Sequence, residues 1–204
     1  MNEYLSVKLK LISFFSMIMV VFLHSYNLVI NLTSGTVLVD QGYSTFIQNF
    51  ISQGIARVAV PLFFSISGYL FFLNSRGELK EFILKFNKRL KTIVIPYLFW
   101  SIFCLLLFLI MQSIPQLAIF FTNKHVIDYT VSEFISSVFI NPIPYQLWFL
   151  RDLMILVVLS PILFYLIKKF SYFALVVFMV AWFLDFNFIF FSNESLLFLL
   201  LVYL

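Results

Sequence analysis

Long apolar runs separated by short polar stretches dominate the chain. Residues 11–31 read LISFFSMIMVVFLHSYNLVIN, enough to cross a bilayer, which takes about 20 apolar residues in a helix. Similar runs cover residues 54–73, 92–111, 147–167 and 171–191, and a sixth starts at Ser195 and is still apolar at Leu204. The pattern predicts an all-α polytopic membrane protein with five full transmembrane helices and a truncated sixth. A helix ending inside the bilayer leaves its last carbonyls unpaired. Residues 1–204 are therefore expected to form a single membrane domain, incomplete at its C-terminus.

Between the runs lie the basic residues. Ten of the 13 Lys and Arg fall in segments that share one side if the N-terminus is cytoplasmic: Lys8, Lys10, Arg76, Lys80, Lys85, Lys88, Arg89, Lys91, Lys168 and Lys169. Only Arg57, Lys124 and Arg151 fall toward the other side. That asymmetry obeys the positive-inside rule and predicts a cytoplasmic N-terminus. Residues 78–91, ELKEFILKFNKRLK, set Leu79, Phe82, Ile83, Phe86 and Leu90 at helical spacing, which predicts an amphipathic helix on the inner leaflet. Residues 112–146 form a long outer connection with Pro115, Pro142 and Pro144, where short helices against the membrane face are expected.

Composition agrees: the chain is 63% hydrophobic and 21% aromatic, with 29 Phe and only 11% charged residues. A soluble domain of this length has no use for so much apolar surface. The net charge of +4 belongs to the loops and marks no nucleic-acid partner; the partner it implies is the lipid bilayer. Cys104 is the one cysteine, which excludes an intrachain disulfide, and no His, Asp and Glu cluster at metal-ligand spacing. Lys8 and Lys10 before an apolar run resemble a secretion signal, but the run is too long and has no small-residue cleavage site before Asn27.

The chemistry lies in the polar residues within the spans. An ionisable side chain at such a position is a functional-site hypothesis by default. His24 is the one histidine inside a span, and on a continuous helix Asn27 and Asn31 share its face. With the N-terminus inside, His24, Arg57, Arg151, Asp152 and Asp185 all fall in the outer half of the membrane. The bland alternative is a structural network in which Arg57 or Arg151 pairs with Asp152 or Asp185. Arg151 and Asp152 are about 100° apart on a helix and so must each reach a different partner. His125, in the outer connection beside Lys124, reads as interfacial.

Four ordered stretches carry a resemblance: SMIMVVFLHSYN, RVAVPLFFSISGYLFF, KRLKTIVIPYLFW and QLWFLRDLMILVVLSPIL. The chain resembles the membrane-bound acyltransferase 3 family, bacterial O-acetyltransferases of glycans among them, with some ten spanning helices in typical members. The resemblance implies a protein of the bacterial inner membrane. It implies transfer of an acyl group, acetyl in many members, from cytoplasmic acyl-CoA to a hydroxyl of an extracytoplasmic glycan or lipid-linked saccharide. No bound cofactor is expected. His24 matches the family's essential histidine. Where the family carries an arginine with ten residues between it and that histidine, this chain has Ser13, and Lys10 is the nearest cation.

Imidazole near pKa 7 suits removal of a hydroxyl proton during attack on a thioester. Asp152, with Asp185 second, is the candidate to hold the other ring nitrogen. Arg57 and Arg151 are candidates for stabilising the oxyanion or holding an anionic acceptor, and Asn27 for binding substrate beside His24. Two other readings stand against an enzyme. One is a transporter or flippase in which the outer Arg and Asp residues gate a polar solute; the other is a non-catalytic membrane domain of a longer fusion protein.

Overall fold

The computed structural model describes residues 3–25, 29–32, 35–38, 42–170, 172–184 and 195. Among these residues, four helical runs are long and apolar enough to cross a membrane: Glu3–His24, Tyr43–Phe72, Leu79–Gln112 and Tyr145–Phe170. Two compact units divide the chain. One holds residues 1–26, 48–89 and 152–204; the other holds 27–47 and 90–151.

Helix α1 (Glu3–His24) ends seven residues before the predicted limit. The Ser25 amide turns back to the Val21 and Phe22 carbonyls, and its hydroxyl donates to Phe22 O at 3.0 Å. The backbone then becomes extended: β1 (Val29–Leu32) pairs antiparallel with β2 (Gly35–Leu38), setting Asn31 opposite Thr36. The predicted polar stripe of His24, Asn27 and Asn31 on one helix therefore does not form; Asn27 lies outside the described residues. Val29 and Ile30 extend the apolar run without extending the helix, because β-branched residues serve a strand equally well.

The second run starts earlier than predicted. It comprises α2 (Tyr43–Asn49), a π-helical turn (Phe50–Ile55), a 3-10 turn (Ala56–Val58) and α3 (Ala59–Phe72). The third joins α4 (Leu79–Arg89) through a π-helical turn (Leu90–Val94) to α5 (Ile95–Gln112). In both runs the irregular turns end within three residues of a proline, Pro61 and Pro96. A proline has no amide for the carbonyl four residues earlier, and its ring crowds that carbonyl, so the preceding turn widens or tightens.

In the first unit α1 packs on α3 and on the two irregular turns before it. Small residues are buried there: Ser16 on α1, then Ser52, Ala56, Ala59 and Gly68. Without a hydrophobic drive between helices in lipid, close approach of small residues holds such pairs. Much of α1 is exposed (Leu11, Phe14, Phe15, Met17, Val21 and Phe22), as suits a helix sheathed in acyl chains. Helix α8 (Trp148–Phe170) matches its prediction to within three residues and buries Asp152, Leu153, Leu156, Val157, Ser160, Phe164 and Ile167 along one stripe. Phe164 stacks on Phe72 at 6.2 Å and meets Phe82 of α4 edge-on at 5.7 Å.

At the turn between α3 and α4, Asn74 takes the left-handed conformation that closes many helices. Lys85 donates to Phe71 O at 2.6 Å, bonds Ser75 and pairs with Glu81 at 2.8 Å, placing a cation on the carbonyl end of α3. The predicted amphipathic helix is α4: Phe82 is buried, while Leu79, Ile83 and Leu84 are exposed beside the lysines.

The second unit contains the outer connection. As expected it folds into short helices: α6 (Pro115–Ala118), a 3-10 turn (Val126–Asp128), α7 (Val131–Phe139) and a 3-10 turn (Tyr145–Leu147). Leu105 of α5, Val126 and Val138 form its small core. After α8, helix α9 (Tyr172–Phe183) is described for 12 of the 21 residues predicted for the fifth span. The rest of that span, with Asp185, and nearly all of the sixth lie outside the described residues.

Candidate active site

The position of His24 follows from the way α1 stops. It is the last helical residue, half-buried, and the end of the helix is held by two hydroxyls. Ser25 donates to Phe22 O at 3.0 Å, and Ser52, buried in the π-helical turn, donates to the same oxygen at 2.8 Å. Phe22 O is among the four carbonyls that a helix leaves without their regular amide partner at its end. A π-helical turn is a common device at functional sites, and here it presents Ser52 to the carbonyl end of α1. The imidazole is thus carried at the terminus of a spanning helix rather than in its middle, and a second helix braces that terminus.

Helix α1 is continuous from Glu3, so Ser13, eleven residues before His24, shares its face about 16 Å along the axis. Between the two, Ser16 is fully buried against the neighbouring turns.

Arg57 sits in the 3-10 turn, fourteen residues into the second run instead of near its start. Its side chain is exposed and donates to Gln53 Oε1, one turn earlier, at 3.2 Å. Counted along its own helix, Arg57 lies about 7 Å beyond the level of Ser52. Asp152 is 0% exposed, in register with the apolar stripe of α8. A carboxyl at that depth needs hydrogen-bond partners, because an unpaired buried polar group is costly.

Arg151 belongs to a different arrangement in the second unit. Its guanidinium donates to the Ile140 carbonyl at 2.9 Å, just past the end of α7. The preceding carbonyls are taken from α5: Ser101 Oγ donates to Ser137 O at 3.1 Å and to Val138 O at 3.0 Å, and Tyr97 OH donates to Phe139 O at 3.0 Å. Four successive carbonyls at the end of α7 are met by three side chains, the single hydroxyl hydrogen of Ser101 being shared between two of them. Arg151 thereby acts as a helix cap, where a cation also meets the negative end of the helix dipole. Sequence reasoning missed Tyr97 and Ser101, and a Tyr and a Ser one turn apart on an apolar helix were the available signal.

Beyond α7's cap, the same unit forms an open-mouthed cavity of about 390 Å³ between the end of α5, residues 120–124 and α7. Phe108, Phe121, Gln112, Asn123, Lys124 and Asn141 are among its lining residues.

Among the described residues, four helical runs long and apolar enough to cross a membrane are the mark of a polytopic membrane protein. The family described as "Acyltransferase domain" matches residues 8–204, and the chain belongs to this acyltransferase 3 family. Among curated proteins it is similar to the succinoglycan biosynthesis protein ExoH of Rhizobium meliloti (strain 1021), with 27% identity over 135 residues. The alignment covers 64% of this chain and 35% of that protein, so the chain spans about a third of the length of the relative. No solved structure matches it.

Proposed function

We propose that the protein transfers an acyl group from cytoplasmic acyl-CoA to a hydroxyl of an extracytoplasmic glycan, with His24 as general base. The observation that carries this reading is the placement of His24 at the terminus of α1, half-buried and braced through Phe22 O by Ser52. Family membership supplies the reaction class, and the relative's printed role in succinoglycan biosynthesis favours a polysaccharide acceptor.

In the step proposed, the imidazole takes the proton of the acceptor hydroxyl as its oxygen attacks the thioester carbonyl. The C–S bond breaks, and the thiolate of CoA leaves with the proton from the imidazolium. Asp152 steadies the imidazolium, and Arg57 faces the acceptor side. Arg151 contributes mainly by holding α7. Lys10 and the Ser13 face of α1 line the donor's approach; Asn27 and Asp185, the further candidates for binding substrate, lie outside the described residues. The topology that accompanies the reading has the N-terminus in the cytoplasm, five spans and the start of a sixth, in the bacterial inner membrane.

The test is acyl transfer in membranes containing the protein, with radiolabelled acetyl-CoA and isolated polysaccharide. His24→Ala is expected to abolish incorporation while membrane insertion persists. Transfer at the unaltered rate in His24→Ala would remove the histidine from this role.

A further inference from the structure

The cavity of the second unit plays no part in the chemistry assigned to His24, and its lining has a consistent character. We propose that it is a binding site for a neutral saccharide unit, a docking subsite for the acceptor chain. The identity of this ligand with the acceptor rests on the proposed acyl transfer and on the outward orientation of residues 112–146; the binding itself does not.

Three features select the occupant. The first is an aromatic wall: Phe108 and Phe121 meet edge-to-face at 5.0 Å and both line the cavity. The C–H face of a pyranose ring packs against such surfaces, and two rings near right angles offer both a face and an edge. The second feature is a set of uncharged hydrogen-bonding groups in the same lining, the amides of Gln112, Asn123 and Asn141 with the hydroxyl of Thr122. Gln112 Oε1 already accepts from the Val126 amide at 2.8 Å, which fixes the side chain and leaves its NH₂ as the donor. Amides both donate and accept, as the hydroxyls of a sugar require.

The third feature is charge. Lys124 is the one charged side chain among the described residues lining the cavity, and Glu133 engages its ammonium with both carboxylate oxygens at 2.7 and 2.9 Å. A neutralised cation gives little to an anionic ligand, so neither a phosphate nor a uronate is favoured. A volume of 390 Å³ lies near the lower end of the range for small-molecule pockets, about 300–1,000 Å³, and suits about one or two sugar rings.

The test is saturation-transfer NMR on the full chain in lipid nanodiscs, free of glycoside detergents and of any acyl donor. The probes are neutral glucose and galactose disaccharides, with a uronate-containing disaccharide for comparison. Saturation of the neutral rings is expected, with affinity lowered about tenfold by Asn141→Leu and by Phe121→Leu. Asn141 is exposed and its replacement spares the core, so it reads the site even where Phe121→Leu disturbs folding. Absence of saturation, wild-type affinity in both variants, or preference for the uronate would overturn the proposal. Because no donor is present, failure of acyl transfer leaves this measurement unaffected, and the converse holds too.

Discussion

Ser160 donates its hydroxyl hydrogen to the Val157 carbonyl at 2.7 Å, and Val157 is the residue whose carbonyl Pro161 leaves without an amide. Both residues are buried, Ser160 at 1% and Val157 at 4% exposure. In hydrocarbon no water substitutes for the missing bond, so a neighbouring side chain has to. Ser160→Ala is expected to destabilise the protein by about 1–3 kcal/mol, the cost of a buried unpaired carbonyl. Pro161→Ala in that background restores the amide and should recover most of the loss. Melting of the purified protein in nanodiscs measures both, and a double variant as unstable as Ser160→Ala would show that the hydroxyl does not stand in for the amide.

That repair shows what a hydrophobicity pattern reveals and what it hides. The limits of α8 were legible, because an unbroken apolar run is closed by Lys168 and Lys169. The end of α1 was not: Val29 and Ile30 continue the run, and apolar residues alone do not separate helix from strand. Arg151 was legible as an improbable charge, but its partner is the Ile140 backbone, and a carbonyl carries no signature in sequence. The caps from Tyr97 and Ser101 were hidden for the same reason, their acceptors lying more than thirty residues downstream. His24 stood out at once, since hydrocarbon gives an imidazole no hydrogen-bond partner and so no reason to be there. The cavity stayed invisible because its wall is gathered from three separate segments.

Asp152 separates a positioning role from a purely structural one. It is 0% exposed, and Asp152→Asn keeps the shape while removing the charge and exchanging one acceptor oxygen for an NH₂ donor. The positioning role proposed for it predicts at least about a tenfold fall in acyl transfer with little change in melting temperature. Should the melting temperature fall while transfer per folded molecule stays level, Asp152 would be a tether of α8 only.

The short helix α7 should respond to acid. Glu133 closes a capping box with Thr130 and pairs with Lys124 at 2.7 Å. The Lys124 ammonium, then the Thr130 amide and hydroxyl, hold the Glu133 carboxyl down to about 2. The native state therefore favours the ionised form. Its contribution is complete above the unfolded value of about 4.3 and is lost as pH falls toward 2. Hydrogen exchange across residues 131–139, corrected for intrinsic rates, should show protection weakening over that window. Glu133→Gln should lower protection at neutral pH and flatten the dependence; an unchanged dependence would place the acid response elsewhere.

Gly77 gives the sharpest steric prediction. Its φ of +88° is a conformation that other residues adopt only with strain. A Cβ there would stand 2.6 Å from the Phe164 ring, and the Gly77 carbonyl accepts from Tyr165 OH at 2.7 Å. The turn between α3 and α4 is thus pressed against α8 by backbone as well as by side chains. Gly77→Ala should cost about 1–3 kcal/mol from backbone strain before any clash is counted. Phe164→Ala relieves the contact but not the dihedral, so the double variant should be less unstable than the sum of the two singles. Additive losses in thermal melting would show that the ring gives way freely and that the dihedral alone demands glycine.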